Sequence, residues 1–365
     1  MSDDISRRNL LRNGGAGLLA IGTAGMAGCL DDVPVVGDVA SSASGPSAEE
    51  WLANLQFDAV HDEDEMEEQV TGFGTEDVEI DDHEEPEFEF SYVVPQAVFD
   101  NEEELLVYWP LEQGEGQRNR VGVPATEVDW QIQQETEWEW EYTYTQETVG
   151  GTHENTDTGR TTLEVNVLAG EFVLDDVEDA LEEWAEDRYD EDLSSEGEYD
   201  GFDLYEVDDM GFALRDDYLL EVSADQYVEF LAALEATIDA RFDADGRWTD
   251  DEDAGGLLDH YASGHLVDGE IHEPLDEEDG FGAEEWEDGL VGSVTSYEFG
   301  GDTTELTEVY LYEEERDADA DALLEHVESN RDIRDQWASL EDYDVTDEGR
   351  VLILSGTVRT RALFA

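Results

Sequence analysis

The chain has 365 residues, 102 of them acidic against 16 basic, for a formal charge of -86, and every basic residue is Arg. That balance argues against nucleic acid as a partner, because the phosphate backbone demands a basic surface, and the missing lysine excludes Schiff-base and phosphate-loop lysine chemistry. It does not make the chain a disordered polyanion, since 39% of residues are hydrophobic, 10% aromatic and nine are Trp, the apolar content of a folded protein.

A charge this large opposes compaction through self-repulsion. The screening length is about 10 Å at 0.1 M salt and about 3 Å at 1 M, so the solvent this surface suits is concentrated brine. Absence of lysine fits the same solvent, because Lys exposes a long apolar stem that Asp and Glu lack.

The chain opens with a short basic region, Ser6, Arg7, Arg8, Asn9, Leu10 and Leu11. Residues 13–28 are uncharged, rich in Gly and Ala, and shorter than a bilayer-spanning helix requires. Met26, Ala27, Gly28 and Cys29 follow, with Asp31 and Asp32 just beyond, and Cys29 is the only cysteine. This order resembles a twin-arginine export signal ending in a lipobox, the leader of exported haloarchaeal lipoproteins. The resemblance covers about the first 30 residues, and Met26 stands where such leaders usually carry Leu. It implies passage through the twin-arginine machinery, lipidation and cleavage at Cys29, and residence on the outer face of the cytoplasmic membrane. It implies no cofactor and no activity. With one cysteine no intramolecular disulfide can form.

Residues 1–29 thus read as leader, 30–50 as a small, polar tether, and 51–365 as one acidic module with room for two lobes. Alternation puts Phe88, Phe90, Tyr92 and Val94 on one face of a strand. A second strand alternates Trp138, Trp140, Tyr142 and Tyr144 with Glu139, Glu141, Thr143 and Thr145. Residues 149–160, with Gly, Thr and Asn, read as a loop, and 161–172 as strand. Val177, Ala180, Leu181 and Trp184 fall at helical spacing behind Asp175 and Asp176. Residues 202–207 and 211–222 read as a hairpin. Ser223 and Gln226 form a capping-box pattern ahead of Tyr227, Phe230, Leu231, Leu234 and Ile238. A third helix carries Ala320, Leu323, Leu324 and Val327. An internal echo matches strand, helix and hairpin from 163 onward, with Tyr205, Val207 and Asp209 in its hairpin, to the same series from 304 onward, with Tyr343, Val345 and Asp347. The expected fold class is α+β: mostly antiparallel sheet, helices on one face, two related halves.

Motifs for chemistry are sparse. There is no Gly-x-Ser-x-Gly, Gly-x-Gly-x-x-Gly or His-Glu-x-x-His, and no paired cysteines. Asp243, Asp245 and Glu252 fit positions 3, 5 and 12 of a calcium loop, but Arg241 occupies the place of its first carboxylate, so a polar turn between helices is the simpler reading. His260, His265 and His272 cluster in sequence without sharing a helical face. Trp138, Trp140 and Tyr142 read first as the buried face of a sheet, and second as a stacking platform for a flat ligand. The function these features support is a non-catalytic binding or structural role at the cell surface, with no cofactor and with ligand identity open. The alternative is an extracytoplasmic hydrolase using carboxylates, with or without a divalent cation; a pocket where two carboxylates converge with raised pKa would favour it.

Overall fold

The computed structural model describes residues 48–61, 66–67, 76–83, 86–105, 115–148, 151–190, 193–208, 210–224, 228–260, 264–275, 286–330 and 339–363. Arg7, Arg8 and Cys29 lie outside them, as does the tether up to residue 47.

Thirteen strands form one antiparallel sheet: β1 (Glu76–His83), β2 (Glu87–Val93), β3 (Val128–Thr148), β4 (Gly151–Gly170), β5 (Ser194–Tyr199), β6 (Phe202–Val207), β7 (Met210–Arg215), β8 (Tyr218–Ala224), β9 (Leu266–Ile271), β10 (Leu290–Phe299), β11 (Thr303–Tyr312), β12 (Glu341–Asp347) and β13 (Val351–Arg359). Their order is β12-β13-β11-β10-β9-β2-β3-β4-β8-β7-β6-β5, and β1 pairs with the far end of β3. Seven helices are described, α1 (Phe57–Val60), α2 (Pro95–Asp100), α3 (Glu115–Arg120), α4 (Leu174–Tyr189), α5 (Phe230–Phe242), α6 (Glu252–Leu258) and α7 (Ala320–Asn330). None among the described residues is long and apolar enough to cross a membrane. The class is α+β with a large antiparallel sheet, as the periodicities predict.

Alternation along the strands divides the core between two faces. Leu163, Val165 and Val167 of β4 point to the face covered by residues 51–60, α5 and α6. Leu168 points to the opposite face, where α4 packs through Val177, Leu181 and Ala185. On that second face α7 forms a separate cluster with β10, β11 and β13 through Leu323 and Val327. Helices therefore cover both faces, not one. The strands are apolar on both sides over much of their length, and each side needs a cover.

The sheet repeats its own plan about the β2–β9 pair. Glu89 of β2 faces Glu270 of β9; one strand outward lie Glu135 and Ser293, and two strands outward Glu164 and Tyr310. Ten residues beyond Glu164 the chain enters α4 at Leu174, and ten beyond Tyr310 it enters α7 at Ala320. Each helix is followed by strands that return to pair beside β4 or β11, as β8 and β13. The two halves anticipated from the echo are present in this topology. The hairpin part of the echo is not equivalent, because Tyr205 lies on β6, two strands outside β8, whereas Tyr343 lies on β12, next to β13.

Three local readings change. Residues 151–160 are strand, not loop, paired to β3 in continuous register. Gly159 is part of the reason: it lies beneath the Trp140 indole, which a Cβ there would overlap. Residues 211–222 are two strands that turn at Asp216 and Asp217, so β6 is followed by a further hairpin. Ser223 continues β8 opposite Glu164 and Met210, and the helix starts only at Phe230 behind Glu229, without a side-chain cap. Strand pairing on both sides of Ser223 outweighs a cap worth about 1 kcal/mol.

Candidate functional site

The aromatic ladder of β3 is placed mostly in the core. Trp138 is fully buried and Trp140 is 3% exposed. Trp138 meets His61 edge-on at 5.0 Å between centroids, and Trp140 donates from Nε1 to Thr161 Oγ1 at 3.3 Å. Tyr142 and Tyr144 are half-buried and continue the stack at 5.1 and 5.8 Å. Two of the three platform residues thus present no free ring face to a ligand.

Asp243 is the C-cap of α5, Asp245 lies in the turn that follows and Glu252 opens α6, and among the described residues no group of three His, Cys, Asp or Glu is placed to hold a metal ion. Neighbouring residues of this segment serve local pairing, packing and capping. Arg241 pairs with Glu50 at 2.9 Å, Trp248 fills the core, and Asp251 caps α6 by accepting from the amides of Asp253 and Ala254, both at 2.9 Å. The histidines also have separate partners. His260 Nδ1 contacts the Gly256 carbonyl at 2.8 Å, His265 Nδ1 accepts from the Phe299 amide at 2.9 Å, and His272 Nδ1 contacts the Glu273 carbonyl at 2.7 Å.

A site that no sequence motif marked lies at the pseudo-symmetric centre of the sheet. Glu270, Glu89, Glu135 and Glu164 stand directly opposite one another on four consecutive strands, β9, β2, β3 and β4. Facing residues of an antiparallel pair share one side, so the four carboxylates form a row across the face that α4 and α7 cover at its two ends. Like charges in that relation destabilise a sheet. The next row holds Asp268, Ser91, Gln133, Asn166 and Glu221 in register. Hydrogen bonds knit the panel: Ser91 donates to Asp268 at 2.6 Å, Ser293 to Glu270 at 3.0 Å and Asn166 to Glu164 at 2.7 Å. At one end Arg120 of α3 binds the fully buried Glu221, its Nε 2.7 Å from Oε2. Beyond the other end, on β11, Glu308 is 3% exposed and its Oε2 has no hydrogen-bond partner among the described residues.

Electrostatics follow from this packing. Burial, then Glu270 and Glu135, push the Glu89 carboxyl up to about 7. Burial raises Glu308 to about 8, against a hydrogen bond donated by Tyr310. Both groups keep a proton in the folded chain that the unfolded chain releases, so their stabilisation is present at low pH and is lost as pH rises through 7 to 8. His61 acts in the opposite sense: burial lowers it to about 4, so stability falls as pH drops from 6.5 toward 4. Melting curves in concentrated salt should therefore show stability falling as pH rises from 4.5, where unfolded carboxyls release their protons, to about 8, with His61 offsetting part of that loss below pH 6.5. Glu308→Gln should flatten the alkaline limb, and an unchanged limb would remove Glu308 from this role.

No family model matches the chain, and no curated protein matches it. Among solved structures, crystal form III of TP0453 is 9% identical and aligns over 76% of this chain and 92% of its own, with a TM-score of 0.37. Crystal form I of TP0453 is also 9% identical, over 76% and 91%, with a TM-score of 0.36.

Proposed function

We propose that this chain is a lipid-anchored protein of the outer face of the cytoplasmic membrane in an extreme halophile, exported through the twin-arginine route, with a binding or structural role and no chemistry of its own. The observation that carries the reading is the order Arg7, Arg8, uncharged stretch, Cys29, with no other cysteine in the chain. The acidic panel around Glu89 and Glu270 is where we expect a ligand to be held. It sets like-charged groups opposite one another on adjacent strands, and such departures from sheet rules concentrate at functional sites.

The test is localisation in a haloarchaeal host. Arg7→Lys with Arg8→Lys keeps the charge and should leave precursor in the cytoplasm. Cys29→Ser should be exported yet lose the membrane affinity a lipid supplies, about 0.8 kcal/mol per buried CH₂. Equal partition of wild type and Cys29→Ser between membrane and medium is the result that defeats the anchor.

A further inference from the structure

A sheet edge is a row of unpaired backbone groups, and folded proteins blunt such edges with charge, bulges or short length. Among the described residues this sheet has four stretches of edge. On β12 four of seven residues are acidic, and the pairing with β13 slips between Glu341 and Asp344. On β5 two of six are acidic, and the register slips between Ser195 and Gly197. On β1 five of eight are acidic, with slips between Glu76 and Glu79 and between Ile80 and Asp82. Each of the three is short, acidic and irregular.

The fourth edge differs on every count. β8 pairs with β4 only from Leu163 to Ala169, so no described strand pairs with the outer side of residues 151–162, and the Thr158 amide donates to Asp157 Oδ1 at 3.0 Å. The stretch is twelve residues long, and its pairing to β3 runs without a slip from Trp130 onward. It contains no Pro, two acids (Glu154 and Asp157), one Arg (Arg160) and five Thr. In a chain where acids outnumber bases 102 to 16, twelve residues with a net charge of -1 are the least acidic edge of the sheet. β-Branched threonines suit a strand with exposed faces. The side chains from Thr152 to Glu154, from Thr156 to Thr158, and of Arg160 are exposed.

We propose that the outer edge of β4, residues 151–162, pairs antiparallel with the same edge of a second copy of this chain. Charge complementarity argues for self-pairing. Glu154 and Arg160 lie on the same face of the strand and flank Asp157 symmetrically. Centred on Asp157, antiparallel pairing sets Arg160 of each copy, which also pairs with Glu137 at 3.0 Å and Glu139 at 2.8 Å of its own chain, opposite Glu154 of the other, twice, and Thr156 opposite Thr158. The opposing term is a single contact between the two Asp157 side chains, which concentrated salt screens. Main-chain hydrogen bonds along the edge supply the affinity, as in other strand-addition interfaces.

The test uses the full chain in concentrated salt. Because Cys29 is the only native cysteine, Cys29→Ser with Asp157→Cys places one thiol per copy at the centre of the pair, where facing Cα atoms lie about 4.5 to 5.5 Å apart, within disulfide range. Mild oxidation should convert most of the protein to covalent dimer. Cys29→Ser with Thr346→Cys on β12 should remain monomer. Without oxidation, light scattering of the Cys29→Ser chain from about 1 to 100 μM should show dimer at the upper end, and Thr158→Pro, provided its circular dichroism is unchanged, should weaken dimerisation at least tenfold. If Thr158→Pro unfolds, the comparison of Asp157→Cys with Thr346→Cys decides. A chain that stays monomeric throughout, equal cross-linking at both positions, or a dimer indifferent to a folded Thr158→Pro overturns the proposal.

Discussion

Moved from several molar salt to about 0.1 M, the protein should unfold cooperatively. The central acidic row shows why. Adjacent strands lie about 4.8 Å apart, so Glu270 and Glu135, which flank β2 on either side, are separated by about 9.6 Å, and Glu164 lies one strand further. At 0.1 M the screening length is about 10 Å and next-nearest carboxylates still repel; at 1 M it is about 3 Å and only immediate neighbours do. In a chain carrying 102 acids against 16 bases, many such repulsions add up against a stability of only about 5 to 15 kcal/mol. Far-UV circular dichroism and Trp fluorescence should fall together in one transition. At about pH 8, where Glu89 has given up its proton, Glu89→Gln with Glu270→Gln should move the midpoint to lower salt, since it removes the repulsion between the two carboxylates. A signal that stays flat down to 0.1 M contradicts the account of the charge.

Much of the fold was legible where one face of an element is apolar and the other is not. Phe88 and Phe90 alternate with Glu87 and Glu89, and the strand is β2. Val177 and Leu181 recur at helical spacing, and the helix is α4. Legibility failed where that contrast vanishes. The stretch 151–160 has polar residues on both faces, so it carries no period, and its strand is held by pairing to β3 and by the fit of Trp140 over Gly159, neither of which is local in sequence. Ser223 and Gln226 have the spacing of a capping box, yet Glu221 and Val222 before them are already committed to a buried strand.

The acidic row was illegible for a different reason. Positions 89, 135, 164 and 270 have no meaningful spacing among 102 acids, and only the register of three strand pairs aligns them. The one usable signal is negative. Glu89 shares β2 with Phe88 and Phe90, so its face was marked as polar, but nothing marked which carboxylates stand beside it. The edge of β4 that no described strand pairs with was hidden in the same way, because an edge is defined by the partner a strand lacks.

The largest effect of a single substitution is expected at Trp138. Its side chain is fully buried against Phe57, at 6.5 Å and 71° between rings, and His61, at 5.0 Å and 88°, so it ties α1 to the long β3–β4 hairpin. Trp138→Ala should cost about 3 to 5 kcal/mol, because the lost transfer energy adds to a cavity that a stiff sheet cannot close. Glu139→Gln, one residue along and on the other face, loses only a partly exposed contact to Arg160 at 2.8 Å, worth less than about 1 kcal/mol. Urea titration at fixed high salt separates the two, since urea leaves the screening unchanged, and an unaltered slope would show that the Trp138 effect is a change in stability and not in the extent of the transition. A ring that served as an exposed stacking surface would behave like an ordinary surface site, within about 0.5 kcal/mol of wild type. That outcome would take Trp138 out of the core and make this strand, in place of the acidic row, the first place to look for a ligand.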